Sequence, residues 1–153
     1  MTGNKHLLPK ILSPASPPSV LLIRLLVGGV FLSEGIQKFL FPGALGVGRF
    51  TQIGIPHPEI MAPFVGVTEV LGGLLLLAGL LSRVVAIPLI VDMMVAIATT
   101  KVPLLSSRGF WAMAHEARVD CSMLLGATFL AIAGSGPLSL DHWLFRTFRP
   151  RHG

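Results

Sequence analysis

Residues 60–81 read IMAPFVGVTEVLGGLLLLAGLL, and this stretch decides the class of the protein. A membrane-spanning helix needs about 20 predominantly apolar residues, and Glu69 is the one ionisable residue in this run. Three further apolar stretches lie at residues 20–41, 84–100 and 116–138. Backbone polar groups inside a bilayer must be hydrogen-bonded within the protein, so all four stretches are expected to be helices. The predicted fold is an all-α, integral membrane four-helix bundle.

The overall composition excludes two other classes of protein. The chain has 153 residues, of which 52% are hydrophobic and 12% are charged, whereas soluble domains carry about 25% charged residues. A soluble domain of this length could not bury so much apolar surface. Disordered chains are poor in apolar residues. The chain is therefore neither a soluble globule nor a disordered segment, and it has no room for a second domain.

The predicted spans leave a tail at each end of the chain. Residues 1–18 are polar and proline-rich, and we expect a flexible cytoplasmic tail. Residues 19–144 form the four-helix domain, and residues 145–153 form a basic C-terminal tail. A turn at 82–83 predicts a tight antiparallel hairpin. The longer connections are 42–59 and 101–115, the second with Phe110 and Trp111 as an interfacial anchor.

The distribution of basic residues predicts the orientation. An even number of spans places both termini on one side of the membrane, and cytoplasmic loops are enriched in Lys and Arg. Both termini are therefore expected in the cytoplasm, because their side holds more basic residues: Lys5, Lys10, Arg24, Arg83, Arg146, Arg149 and Arg151, against Lys38, Arg49, Lys101 and Arg108. We interpret the net charge of +5 as topology and expect no nucleic-acid partner.

Ionisable residues inside the spans are the strongest functional signal. A charge at the bilayer centre costs about 2.5–3.5 kcal/mol on insertion scales, so such residues are rarely without a role. With a rise of ~1.5 Å per residue, Glu34, Glu69 and Asp92 each lie roughly 10–14 Å below the same membrane surface. Asp120 lies at a shallower depth. The acids of several helices are thus expected to converge in one half of the bilayer.

Two interpretations of this cluster remain open. It is either a polar pocket that exchanges protons or binds a small polar molecule, or a set of ion pairs that fix helix register. In the first, Glu69 exchanges the proton and Lys38 and Arg118 are its electrostatic partners. The other expected pocket residues are Glu34, Gln37, Asp92, His115, Glu116 and Asp120. Arg24 is expected to extend its side chain to the headgroups.

The glycines, histidines and cysteine carry information on helix packing, on haem or metal binding, and on disulfide formation, respectively. Gly66 and Gly73 are seven residues apart, as are Gly72 and Gly79, and small residues on one face let membrane helices pack closely. No histidine lies in the middle of an apolar run, so neither a haem nor a metal is expected. The single cysteine, Cys121, excludes an intramolecular disulfide.

Three segments together resemble the DoxX family of small four-helix membrane proteins. They are RLLVGGVFLSEGIQKF (24–39), GIPHPEIMAPFVGVTEVLGGLLLLAGLLSR (54–83) and GSGPLSLDHWL (134–144). Family members are bacterial inner-membrane proteins, so the resemblance implies that location. Some of them resemble the membrane subunit of thiosulfate:quinone oxidoreductase, and others are described as partners of redox or detoxifying enzymes. The positions that match the family pattern are Arg24, Gly35, Lys38, Glu69, Gly72, Gly73 and Arg83.

Three functions follow as hypotheses. The first is a quinone-linked or redox-associated membrane subunit, with quinone or quinol as its cofactor and a soluble or membrane protein as its redox partner. The second is a small proton- or cation-coupled transporter subunit, which would need to form a homo-oligomer because four helices are few for a pathway. The third is a non-catalytic membrane scaffold for a soluble enzyme. Membrane lipids are expected partners in all three.

Overall fold

The structure is a computed structural model that describes residues 17–148, and within this range it consists of helices and connecting turns. The predicted N-terminal tail falls almost entirely outside the described residues, as do residues 149–153. The helices are α1 (Val20–Leu40), α2 (Val47–Gln52), α3 (Pro58–Ala78), α4 (Ser82–Ala96), α5 (Val102–Arg108), α6 (Phe110–Ala133) and α7 (Leu140–Phe148), with a π-helical turn, Ile97–Lys101, between α4 and α5.

Four long helices form a closed bundle. Helix α1 packs on α3, α3 on α4, α4 on α6, and α6 on α1. Three helices in the described part are long and apolar enough to cross a membrane: Val20–Leu40, Pro58–Ala78 and Ser82–Arg108. Helix α6 has 24 residues, which at ~1.5 Å per residue is also a sufficient length, although its first turns carry charged side chains. The all-α membrane fold is thus confirmed.

The two ends of the bundle differ in what they carry. We call the end with residue 20, the α3–α4 turn and α7 the terminal side, and the end with α2 the distal side. The buried core lies between them and includes Phe31, Leu76, Leu89 and Leu130, each at most 1% exposed. Large apolar side chains such as Leu22 and Ile132 are 69% and 75% exposed on the outside of the bundle, as a lipid-facing surface requires.

Two glycine pairs bring α1 and α3 into close contact. A Cβ atom added at Gly28 would lie 3.0 Å from the carbonyl oxygen of Gly73, and one added at Gly35 would lie 2.8 Å from that of Gly66. Only residues without a side chain allow the two backbones to approach this closely. The predicted packing role of the glycines is confirmed, and Gly72 packs in the same way against Leu89 of α4.

Helix boundaries differ from those expected at three connections. The predicted loop 101–115 is helical except at Gly109, where φ is +81°, a backbone conformation that glycine adopts most readily. Pro103 does not end the helix because it lies in the first turn of α5, where proline is tolerated. The α3–α4 turn falls at residues 79–81, before the predicted 82–83. Residues 145–148 of the predicted C-terminal tail belong to α7.

The prediction that Arg24 reaches the headgroups was wrong. Its side chain is 3% exposed and donates hydrogen bonds to the backbone carbonyls of Ser135 (2.6 Å) and Leu138 (2.7 Å). Nearby, the buried Asp141 accepts hydrogen bonds from the Leu81 N–H and the Ser135 hydroxyl, both at 2.9 Å. A glycine-rich loop exposes backbone carbonyls that an arginine can satisfy. Arg24 therefore holds the α6–α7 connection against the bundle.

Candidate functional site

A cavity of about 670 Å³ lies in the distal half of the bundle. Its inner walls are mostly apolar and come from α1, α3, α4 and α6, with Phe31, Phe64, Met93 and Met123 among them. On the distal side it is lined by α2 and the segment that follows α2, through residues such as Arg49, Phe50 and Ile53. The cavity is therefore an apolar chamber that a short amphipathic segment borders on the distal side.

An ion pair between α1 and α3 lies in the wall of this cavity. Lys38 Nζ and Glu69 Oε2 are 2.6 Å apart, with side-chain exposures of 13% and 2%. The pair flanks the close α1–α3 contact between Gly35 and Gly66. Because the two helices are antiparallel, Lys38 lies on the distal side of this contact and Glu69 on its terminal side, and the long Lys38 side chain spans the difference. A carboxylate this deeply buried needs a counter-charge, and Lys38 provides it.

Asp92 of α4 extends the ion pair across the cavity. Its carboxyl group and that of Glu69 both line the cavity and are close enough to interact. A hydrogen bond between two carboxyl groups requires a proton on one of them. The Oδ2 atom of Asp92 is enclosed and has no hydrogen-bond partner among the described residues. The site can therefore hold a shared proton and still accept a further hydrogen bond.

A second ion pair lies nearer the distal side. Lys101 Nζ in the π-helical turn is 3.2 Å from Asp120 Oδ2 in α6, and the two side chains are 17% and 22% exposed. Asp120 is also close enough to Asp92 for their charges to interact. Both residues line the same cavity. The two pairs therefore face the same cavity, with Asp92 as a further acid beside them.

Hydroxyl groups add to the polar lining of the cavity. The hydroxyls of Thr68, Thr99 and Thr100 donate to the backbone carbonyls of Phe64, Val95 and Ala96, respectively, and all three threonines line the cavity. Their oxygen lone pairs remain available to accept hydrogen bonds from a ligand or from water. The polar side of the chamber is consequently rich in acceptors.

The structure brings together four of the predicted site residues: Lys38, Glu69, Asp92 and Asp120. Glu34 also lines the cavity, but its side chain is exposed. The remaining predicted pocket residues do not line it. Gln37 donates to Ser33 within α1 at 2.9 Å, and three exposed residues lie at the start of α6: His115, Glu116 and Arg118.

The expected partnership of Arg118 with the carboxylates was wrong. Its guanidinium donates to the His115 carbonyl of its own helix at 2.5 Å. Each helical residue turns the chain by about 100°, so Arg118 and Asp120, two positions apart, point to nearly opposite faces. Lys101 takes the place that the sequence interpretation gave to Arg118.

Several residues of the site were missed by reasoning from the sequence. Lys101 and Arg49 were assigned to loops and counted only toward orientation, and the threonines were not singled out. Gly109 is the signal that could have revealed the second ion pair. Lys101 lies eight residues before Gly109 and Asp120 lies eleven residues after it, so a helical hairpin that turns at Gly109 places the two side chains at a similar level. Among the described residues, no three His, Cys, Asp or Glu side chains group so as to hold a metal ion.

Comparisons with known proteins agree with the membrane fold. The family model DoxX matches residues 19–102. The uncharacterized membrane protein Rv3486 of Mycobacterium tuberculosis is 54% identical over 142 residues, which cover 89% of this chain and 87% of that protein. The Bacillus subtilis protein CatD, whose name provisionally describes it as an oxidoreductase, is 32% identical over 82% of this chain and 87% of its own length. No solved structure matches the chain.

Proposed function

The chain belongs to the DoxX family of membrane proteins, and from that premise we propose that it is a quinone-binding subunit of a membrane oxidoreductase in which Glu69 exchanges protons. The observation that carries the proposal is the Lys38–Glu69 ion pair in the wall of an otherwise apolar cavity. The name of CatD, a relative at 32% identity, supports the same class of chemistry.

The volume and the lining of the cavity support a quinone as its ligand. Its volume of about 670 Å³ falls within the ~300–1,000 Å³ typical of small-molecule sites. A quinone ring has two oxygens that hydrogen-bond and a tail that is apolar. Lys38, Glu69 and Asp92 would hold the ring oxygens, while Phe64, Met93 and similar side chains would contact the tail.

Each residue would have a distinct task. Glu69 would accept or donate a proton at a ring oxygen, since it is the most deeply buried acid of the cavity. Lys38 would balance the charge of Glu69 whenever its carboxyl group is deprotonated, and Asp92 would share the proton. When bound, the quinone would supply two-electron, two-proton redox chemistry. The electrons would be exchanged with a partner protein, because the chain has a single cysteine and therefore no dithiol of its own.

Quinone binding tests the proposal directly. Wild-type protein and the Glu69→Gln variant are purified, their bound lipids are extracted and identified by mass spectrometry, and a short-chain benzoquinone is titrated by calorimetry. Hydrogen bonds to charged groups contribute about 1.5–3 kcal/mol, so the dissociation constant of Glu69→Gln should rise at least tenfold. Glu59→Gln is the matched control, because Glu59 is an exposed acid on the same helix.

Two results would overturn the proposal. One is the absence of quinone from the extracted wild-type protein together with no heat of binding. The other is equal affinity for wild type and Glu69→Gln, with circular dichroism confirming that both are folded. Either result would favour the transporter function instead. The threonines in the cavity wall would then offer a polar route. Uptake that responds to membrane potential would be the next measurement.

A further inference from the structure

Three acids extend from the interior of the bundle toward the distal side. Glu69 is 2% exposed, Asp92 is partly buried, and Asp120 is 22% exposed. All three acids line the same cavity, and Asp92 is close enough to interact with both Glu69 and Asp120. The series ends at Lys101, which is 3.2 Å from Asp120.

From Glu69 toward the terminal side, the interior of the bundle is filled by apolar side chains. On each helix of the bundle, a buried apolar residue follows the polar group on the terminal side: Phe31 in α1, Leu76 in α3, Leu89 in α4 and Ala127 in α6, each at most 1% exposed. All four residues belong to one continuous buried cluster. The side chains of this layer offer no acceptor for a proton on the terminal side of Glu69.

The π-helical turn Ile97–Lys101 shapes the distal end of the series. Extra residues in a π-helical turn change the direction of side chains and are common at functional sites. Here the turn carries both Thr100, which lines the cavity, and Lys101, which pairs with Asp120. The irregularity is thus located where the polar series leaves the bundle.

We propose that Asp92 and Asp120 form a proton path between Glu69 and the distal side of the membrane, with Lys101 positioning Asp120. The inference rests on the proposed function only for the source of the proton. The charged groups that face the path come from every element around it: Glu34 and Lys38 (α1), Arg49 (α2), Glu69 (α3), Asp92 (α4), Lys101 (π-helical turn) and Asp120 (α6).

The transfer is balanced without a further reactant. A proton on Glu69 moves to the Asp92 carboxylate, and Lys38 compensates the charge left on Glu69. The proton then passes from Asp92 through water to Asp120, and from Asp120 to water on the distal side. No electron moves in these steps, and the opposite direction uses the same bonds.

Hydrogen–deuterium exchange of the shared carboxyl proton tests the path. Protein in lipid nanodiscs is transferred to D₂O, and the carboxyl C=O band is followed by infrared spectroscopy, with Glu69→Gln and Asp92→Asn assigning the band. We expect Asp120→Asn to slow the exchange at least tenfold and Asp120→Glu to restore it. Glu116→Gln is the matched control, because Glu116 is an exposed acid one turn away on the same helix, and it should exchange like wild type.

The outcomes separate this inference from the proposed function. Exchange in Asp120→Asn as fast as in wild type would overturn the path, and so would failure of Asp120→Glu to restore the rate. If Asp120→Asn does not fold, Asp120→Ser replaces it, again with Asp120→Glu as the restoring variant. No quinone is present in the measurement, so a failed quinone titration does not affect it, and a blocked path does not depend on quinone binding.

Discussion

At the scale of single residues, the Lys38–Glu69 pair is expected to dominate the energetics of the site. Removing one partner of a buried ion pair costs about 3–5 kcal/mol, because it leaves the other charge uncompensated. Lys38→Met should therefore lower the free energy of unfolding by about that amount. Thermal unfolding of the detergent-solubilised protein, followed by circular dichroism, measures the loss.

Two further variants give this prediction its controls. The double variant Lys38→Met/Glu69→Met should recover most of the stability, because apolar replacement of a whole buried pair is often neutral or stabilising. Lys101→Met should cost less than Lys38→Met, since the Lys101–Asp120 pair is more exposed and exposed pairs contribute about 0–1 kcal/mol. Equal losses for Lys38→Met and Lys101→Met would contradict the structure.

The sequence predicts single residues unevenly. The convergence of Glu69, Asp92 and Asp120 follows from depth alone, because a fixed rise per residue sets the level of each acid. The partners do not follow from depth. Arg118 has the right depth but the wrong face, and Arg24 makes hydrogen bonds to carbonyls of a loop more than 100 residues later in the chain, which no local pattern encodes.

At the scale of helices, the α1–α3 contact is expected to depend on which glycine is replaced. Gly28 and Gly29 are adjacent, yet a Cβ at Gly28 would meet the Gly73 carbonyl at 3.0 Å, whereas a Cβ at Gly29 has nothing within 4 Å. Overpacking a close contact costs about 1–3 kcal/mol. Gly28→Leu should therefore lower the unfolding temperature, and Gly29→Leu should leave it unchanged or raise it slightly.

The same pair of variants reports on the site. Gly28 lies on the face of α1 that contacts α3, and separating these helices would also separate Lys38 from Glu69. We expect Gly28→Leu to weaken quinone binding while Gly29→Leu does not, measured by the same titration. A stable Gly28→Leu protein with wild-type affinity would show that the site does not depend on the close approach of the helices.

Helix existence was predictable and helix ends were not. Long apolar runs predict spans because a bilayer accepts few other structures. The third span was expected to end at Thr100, before Lys101 and Pro103. The structure continues the helix past both, since a lysine can pair with Asp120 and a proline fits the first turn of α5. Only tertiary contacts decide whether a helix ends or continues at such residues.

At the scale of the whole molecule, the cavity and the two ends of the described part of the chain, residues 17 and 148, lie on opposite sides of the bundle. The Lys38–Glu69 pair, the second ion pair and α2 lie toward the distal side, whereas α7 and the buried Arg24 and Asp141 lie toward the terminal side. The direction in which protons leave the site therefore depends on the orientation of the protein in the membrane. The excess of basic residues at the termini predicts that the terminal side faces the cytoplasm.

Cysteine labelling tests this orientation with two closely matched positions. Thr51 and Thr147 are both exposed, and each donates its hydroxyl to the carbonyl four residues earlier in its helix. Each is replaced by cysteine in a Cys121→Ala background, and spheroplasts are treated with a membrane-impermeant maleimide. We expect Thr51→Cys to be labelled in intact spheroplasts and Thr147→Cys only after lysis. The reverse pattern would place the cavity on the cytoplasmic side, and the proton path would then exchange with the cytoplasm.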